Sequence, residues 1–170
     1  MSDAQRPEPA GNDAAFSAFY RKFLPTLVAF LMWQGARLPD ATDIAQDTMI
    51  KMRQRGSEIG HPEVWARKVA SRALVRHIAS IKEDPVEHLP EHSSLLPPSI
   101  DVKTWEQQHE VLRMLDLLPS RQRQVMAWTL QGYTPAEIAI ELQINADAVR
   151  ASLMKARRAL AAHFATSGGE

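Results

Sequence analysis

Apolar residues recur at helical spacing along most of the chain, and no run of roughly four to eight residues alternates as a half-buried strand would. The pattern predicts an all-α protein. A first helix is expected behind an Asn12 or Asp13 cap, with Phe16, Phe19, Phe23, Leu27, Phe30 and Leu31 on one side, a bend at Pro25 and an end at Gly35. A second should occupy residues 40–54, between Pro39 and Gly56, and bury Ile44, Thr48 and Met52. A third opens at Pro62, a favoured first-turn position, and runs to about residue 79 with Trp65, Val69 and Ala73 on one face.

The periodicity fails over residues 81–103, which hold Pro85, Pro90, Pro97 and Pro98, several acids and the Ser93-Ser94 pair. Such a segment reads as a flexible acidic Pro-rich linker. Helical spacing resumes with Trp105, Val111, Leu112, Leu115 and Leu118, breaks at Pro119, and continues through Val125, Met126, Trp128 and Leu130 to Gly132. The expected organisation is therefore two small helical domains, residues 13–80 and 104–164, with a disordered N-terminus over 1–12 and a polar tail over 165–170 too small to order itself.

Composition first seems to argue against a nucleic-acid protein, because 20 Lys and Arg balance 20 Asp and Glu over 170 residues. Dividing the charge by segment reverses that impression. Residues 61–80 hold four cations against one acid, residues 81–110 hold two against seven, and residues 148–163 hold four with no acid. Neutrality is a cancellation between two basic helices and an acidic connector. Cysteine is absent, which excludes disulfides, thiolate zinc sites and cysteine nucleophiles and fits a reducing compartment. The longest apolar stretch, residues 24–33, falls far short of the roughly 20 residues of a membrane span, and residues 1–12 have no apolar core for a signal peptide. A cytoplasmic protein without membrane insertion is expected.

The sharpest local signal is Thr134-Pro135-Ala136-Glu137, a capping box with proline at the first helical position. The short helix it starts carries Ile138, Ala139 and Leu142, and Gln143-Ile144-Asn145 then turns the chain into a helix with Val149 and Leu153 inside. Asn145 can cap that second helix, and such a helix-turn-helix places it in the DNA major groove, with Arg150, Ser152 and Lys155 within reach and Arg157 and Arg158 nearer the backbone. The plainer alternative is a helical hairpin with a solvated basic face. The turn usually takes glycine at its left-handed position, where Gln143 costs on the order of 1 kcal/mol.

On the third helix Lys68, Arg72 and Arg76 are spaced by four and form one stripe, with Ser71 beside it and Trp65 a turn earlier. Cations can track a single strand while an indole stacks on an unpaired base. The alternative is a core Trp65 and a solvated stripe. On the second helix Asp40, Asp43 and Asp47 fall close to one face with Gln46 adjacent. Three carboxylates could hold a metal, but this spacing on a single helix usually faces water or a basic partner.

With these motifs placed, residues 16–164 resemble the extracytoplasmic-function sigma factors, the two-domain group 4 of the sigma-70 family of bacterial transcription initiation factors. Asp40-Ala41-Thr42-Asp43-Ile44-Ala45-Gln46-Asp47-Thr48 is similar to the acidic stretch that docks on the β′ clamp helices of core RNA polymerase. Residues 62–78, with Trp65, are similar to the helix that opens and reads the minus-ten promoter element. Leu118-Pro119-Ser120-Arg121-Gln122-Arg123, Gly132-Tyr133-Thr134-Pro135-Ala136-Glu137-Ile138-Ala139 and Ala156-Arg157-Arg158-Ala159-Leu160 are similar to the domain that reads the minus-thirty-five element, which adds Arg121 and Arg123 to the DNA-facing candidates. The sequence departs from the family where Arg72 and Arg76 replace the usual Asn and Asp. In the second helix of the helix-turn-helix, Ala148, Ala151 and Ser152 replace Thr, Ser and Arg, so the resemblance implies that Arg150 and Asn145 carry more of the base selection, or that selection leans on DNA shape.

The resemblance implies a sigma factor with no cofactor, no bound metal and no covalent chemistry. Its partners would be core polymerase, through the β′ clamp helices and the β flap, promoter DNA and an inhibitory anti-sigma factor. Two other classes compete with it. A helix-turn-helix regulator with an N-terminal sensor or dimerisation domain would need no polymerase. An enzyme would draw on His88 and His92, but Pro90 between them argues against a helical metal site.

Overall fold

The computed structural model describes residues 10–83 and 102–168, with side chains over 13–81 and 106–168. These residues form seven α-helices and no strand. The first half holds α1 (Ala10–Trp33), α2 (Leu38–Arg55), a 3-10 turn (Gly56–Glu58) and α3 (Pro62–Glu83). The second holds α4 (Val102–Leu115), α5 (Ser120–Leu130), α6 (Pro135–Leu142) and α7 (Ala146–Ser167).

Helix α1 continues through Pro25 and closes in a Schellman turn, where the amides of Gly35 and Ala36 donate to the carbonyls of Met32 and Leu31 at 2.9 and 3.1 Å. Gly35 supplies the left-handed residue, with φ 106°. From α1, Leu27, Phe30 and Leu31 are completely buried against Ala41, Ala45 and Met49 of α2 and Ala66, Ala70 and Leu74 of α3. The interior face of α3 thus lies one residue beyond the predicted one. Small alanines bring α3 close to its neighbours, and Trp65, Val69 and Ala73 are half-buried at the edge. Thr48 and Met52 are buried as expected, while Ile44 is half-buried. Thr48 satisfies its hydroxyl by donating to the Ile44 carbonyl at 2.8 Å.

In the second half, Leu115, Val125, Trp128, Ile138, Val149 and Leu153 pack together. The two cores are continuous because α1 packs against α4 and α5 as well as α2 and α3. Phe30 meets Trp128 edge-on, with ring centroids 5.1 Å apart and planes at 89°.

Several helix ends differ from the sequence expectations. α1 begins at Ala10, ahead of the predicted cap; α3 reaches Glu83 and α4 opens at Val102, so both ends of the expected linker are helical. α7 runs on to Ser167, into the expected tail, where the Thr166 hydroxyl finds the His163 carbonyl at 2.8 Å. The rest of the expected disordered N-terminus, residues 1–9, lies outside the described residues, as do linker residues 84–101 with His88 and His92, and residues 169–170. Among the described residues, no helix is long and apolar enough to cross a membrane.

Candidate nucleic-acid interface

The helix-turn-helix is built by three local devices. Thr134 and Glu137 close the capping box: the Glu137 amide donates to Thr134 Oγ1 at 3.3 Å, and the Thr134 amide donates to Glu137 Oε2 at 2.8 Å. The Thr134 backbone and hydroxyl bonds hold the Glu137 carboxyl below its ordinary pKa. At the turn, Gln143 adopts the left-handed conformation, φ 55° and ψ 45°. Its own amide and that of Ile144 then donate to the carbonyls of Ile140 and Ala139, a third use of the Schellman geometry that closes α1 and, through Gly132, α5. Asn145 caps α7, its Oδ1 accepting from the Ala148 amide at 2.7 Å.

Along α7, Lys155, Arg157 and Arg158 are exposed and Ser152 is half-buried. Arg150 pairs with Asp147 at 2.8 Å across one turn, and both side chains stay largely in water. Arg121 is exposed on α5 and donates to Gln124. Arg123 requires a correction. It does not join a DNA-facing surface, because its guanidinium turns inward and donates to the carbonyls of Trp33 and Met32 at 2.8 and 2.9 Å while pairing with Asp116 at 2.7 Å.

The second basic surface is on α3. Lys68, Arg72 and Arg76 form the predicted stripe, and Arg76 is exposed. Glu141 of α6 engages the other two, with Oε1 3.0 Å from Lys68 Nζ and Oε2 3.2 Å from Arg72. Trp65 stands beside the stripe, with the Arg55 guanidinium 5.8 Å from its ring centroid. Between Trp65, Lys68, Arg55, Ile59, His61 and Val64 opens a cleft of about 380 Å³. Ser71 is the second correction: it is 4% exposed and accepts a hydrogen bond from Gln34 Nε2 at 3.0 Å, so it belongs to the α1–α3 core.

On α2, Asp43 and Asp47 are exposed and Gln46 is half-buried. Asp40 is drawn into a local network, 3.2 Å from Arg37 and 3.3 Å from His77 Nε2 of α3. Among the described residues, no group of three or more His, Asp or Glu side chains is arranged to hold a metal ion.

Residues 108–160, from the middle of α4 to the body of α7, match the family described as Sigma-70, region 4. That match covers most of the helix-turn-helix half of the chain. Its fold is similar to that of CnrH, solved in complex with the cytosolic domain of CnrY, at 18% identity and TM-score 0.56 over 92% of each chain. It is also similar to the sigma factor RpoE of Bartonella quintana, solved with the anti-sigma factor NepR, at 16% identity and TM-score 0.57 over 86% of this chain and 94% of that one. Both likenesses span the two helical halves. No curated protein matches the chain by sequence.

The protein thus presents one basic face on α7 and another on α3, and leaves Asp43 and Asp47 exposed on α2. Arg55 and Glu141 are the residues that sequence reasoning passed over. Arg55 sits beside a glycine turn with no periodic signal, and the partners of Glu141 lie far away along the chain.

Proposed function

We propose that the protein is a sigma factor that binds core RNA polymerase through both halves and directs initiation at a two-part promoter. Asp43 and Asp47, with Asp40 and Gln46 at the rim, pair with basic residues of the β′ clamp helices, and the second half meets the β flap. Lys68, Arg72 and Arg76 hold the separated non-template strand of the minus-ten element, and an unstacked base lies against Trp65 in the cleft beside it. At the minus-thirty-five element, α7 enters the duplex, where Asn145, Arg150 and Ser152 face bases and Lys155, Arg157, Arg158 and Arg121 face phosphates. With Ala148 and Ala151 in place of base-reading side chains, selection there leans on Arg150 and on DNA shape.

The family match over residues 108–160 carries this reading, supported by a fully capped helix-turn-helix whose α7 leaves Lys155, Arg157 and Arg158 in water. Sigma factors are non-enzymatic regulatory proteins, and the reading assigns no covalent chemistry and no cofactor to this one. RpoE was solved with an anti-sigma factor, which supports an inhibitory protein partner here too. The protein acts in the cytoplasm, where polymerase and promoter are.

Footprinting with and without core polymerase, followed by run-off transcription over genomic fragments, tests the proposal. Promoter protection should require core enzyme. Equal protection by the free protein, with no core-dependent transcript, would instead indicate a stand-alone DNA-binding regulator.

A further inference from the structure

We infer that Asp147 and Arg150 at the start of α7 form one base-reading unit, in which Arg150 selects a guanine by its major-groove edge and Asp147 is the positioning residue that holds the guanidinium. The inference rests on the reading of α7 as the helix that enters the upstream duplex. Arg150 Nη1 lies 2.8 Å from Asp147 Oδ1, one turn back along the helix, and the two side chains are 60% and 93% exposed. Among the described residues, Arg150 has no other partner. With Nη1 taken, Nε and Nη2 stay free on the adjacent edge of the planar fork, and two parallel donors of this kind match O6 and N7 of guanine.

Elimination over the first two turns leads to the same pair, because the N-terminal residues of such a helix are the ones that meet base edges. There Asn145 has its Oδ1 committed to the Ala148 amide, Ser152 is half-buried, and Ala148 and Ala151 carry no polar side-chain group. Arg150 is the long, exposed donor that remains. Asp147 is the one acid of α7, whose other charged residues are Arg150, Lys155, Arg157 and Arg158. A carboxylate on a face that meets phosphates weakens binding to every sequence unless a cation or a base amino group engages it. Here the neighbouring cation does, and fixing that side chain before DNA arrives removes rotamer freedom that binding would otherwise have to freeze. A first-turn acid also suits the helix dipole, but that role alone would move stability and leave base choice untouched.

The test uses the polymerase holoenzyme and a duplex selected from a pool randomised over the upstream half of the promoter. Selection by the wild type should yield a guanine whose replacement by 7-deazaguanine, in which N7 becomes CH, weakens binding by about fivefold. Arg150→Ala should erase that penalty. Asp147→Ala is the sharper variant, because affinity and discrimination should part: loss of the carboxylate tightens binding to unrelated duplex, while the preference for guanine over adenine falls by about threefold. Asp147→Glu should restore part of the preference. Uniform tightening by Asp147→Ala with the guanine preference intact would reduce Asp147 to a solvated acid and overturn the unit. A 7-deazaguanine penalty that survives Arg150→Ala, or a selected element without guanine, would remove Arg150 from the base. Duplex bound equally well without core enzyme would count against the sigma-factor reading instead, and the same substitutions in the free protein would still decide this inference.

Discussion

Arg123 Nε lies 2.8 Å from the carbonyl oxygen of Trp33, so a side chain of α5 finishes the last turn of α1, ninety positions earlier in the chain. The last turn of α1 holds no basic residue of its own. The guanidinium supplies both the missing donors and a positive charge at the negative end of the helix. Removing it as Arg123→Ala leaves two carbonyls without that partner and should cost about 2 kcal/mol in denaturant unfolding. Arg123→Lys should recover only part of this, because a single ammonium cannot span two carbonyls and Asp116 in the geometry of the planar fork. Full stability in Arg123→Ala would show that the cap contributes nothing.

Trp128 is fully buried between Phe30 and Tyr133, with ring centroids at 5.1 and 4.7 Å. Truncation to alanine opens the junction of both cores and should cost about 3–5 kcal/mol. Because that core is continuous, the wild-type protein should unfold in one transition by far-ultraviolet circular dichroism. Two resolved transitions in the wild type would contradict this.

Gln143 occupies a left-handed position that Gly35 and Gly132 fill at the other two helix ends of this geometry. Gln143→Gly should be stabilising by about 0.5–1 kcal/mol, the relief of strain being partly offset by the freer unfolded chain. Gln143→Val should be destabilising, since a branched Cβ tolerates this conformation least. Thermal melts of the two variants that moved in the opposite senses would refute the assignment of strain.

The pKa of Glu137 is lowered by its bonds to Thr134, so its contribution is present above the ordinary carboxylate pKa and is lost as pH falls through the lowered value. Acid titration should therefore loosen the start of α6. Glu137→Gln should flatten the acid limb of the stability profile, and a profile identical to wild type would rule out this origin.

Lys155, Arg157 and Arg158 are exposed on α7. If each meets a phosphate, replacing any one by alanine in the polymerase holoenzyme should reduce the slope of log affinity against log salt by about 0.9, with little change in sequence preference. A loss of sequence preference with the slope unchanged would place the residue at a base instead.

Much of this architecture is legible in the sequence because its signals are local. Thr134, Glu137 and Asn145 announce helix starts within one turn, and the four-residue spacing of Lys68, Arg72 and Arg76 fixes their shared face. What escapes is long-range. Arg123 reads as a partner of DNA beside Arg121, and Ser71 reads as part of the α3 stripe. Their true partners, Trp33 and Gln34, are adjacent on α1 and distant along the chain. The inward face of α3 escapes for a related reason: alanines carry little hydrophobic signal, yet Ala66 and Ala70 are completely buried.

The Phe30–Trp128 pair also bears on the order in which this protein is made. Phe30 is fully buried, yet part of its cover emerges only when α5 is synthesised. At about 5–20 residues per second, that delay is on the order of 5–20 s. During it, the nascent first half must keep an uncovered aromatic surface in solution, so the C-terminal half is also the piece that completes the folding of the N-terminal one.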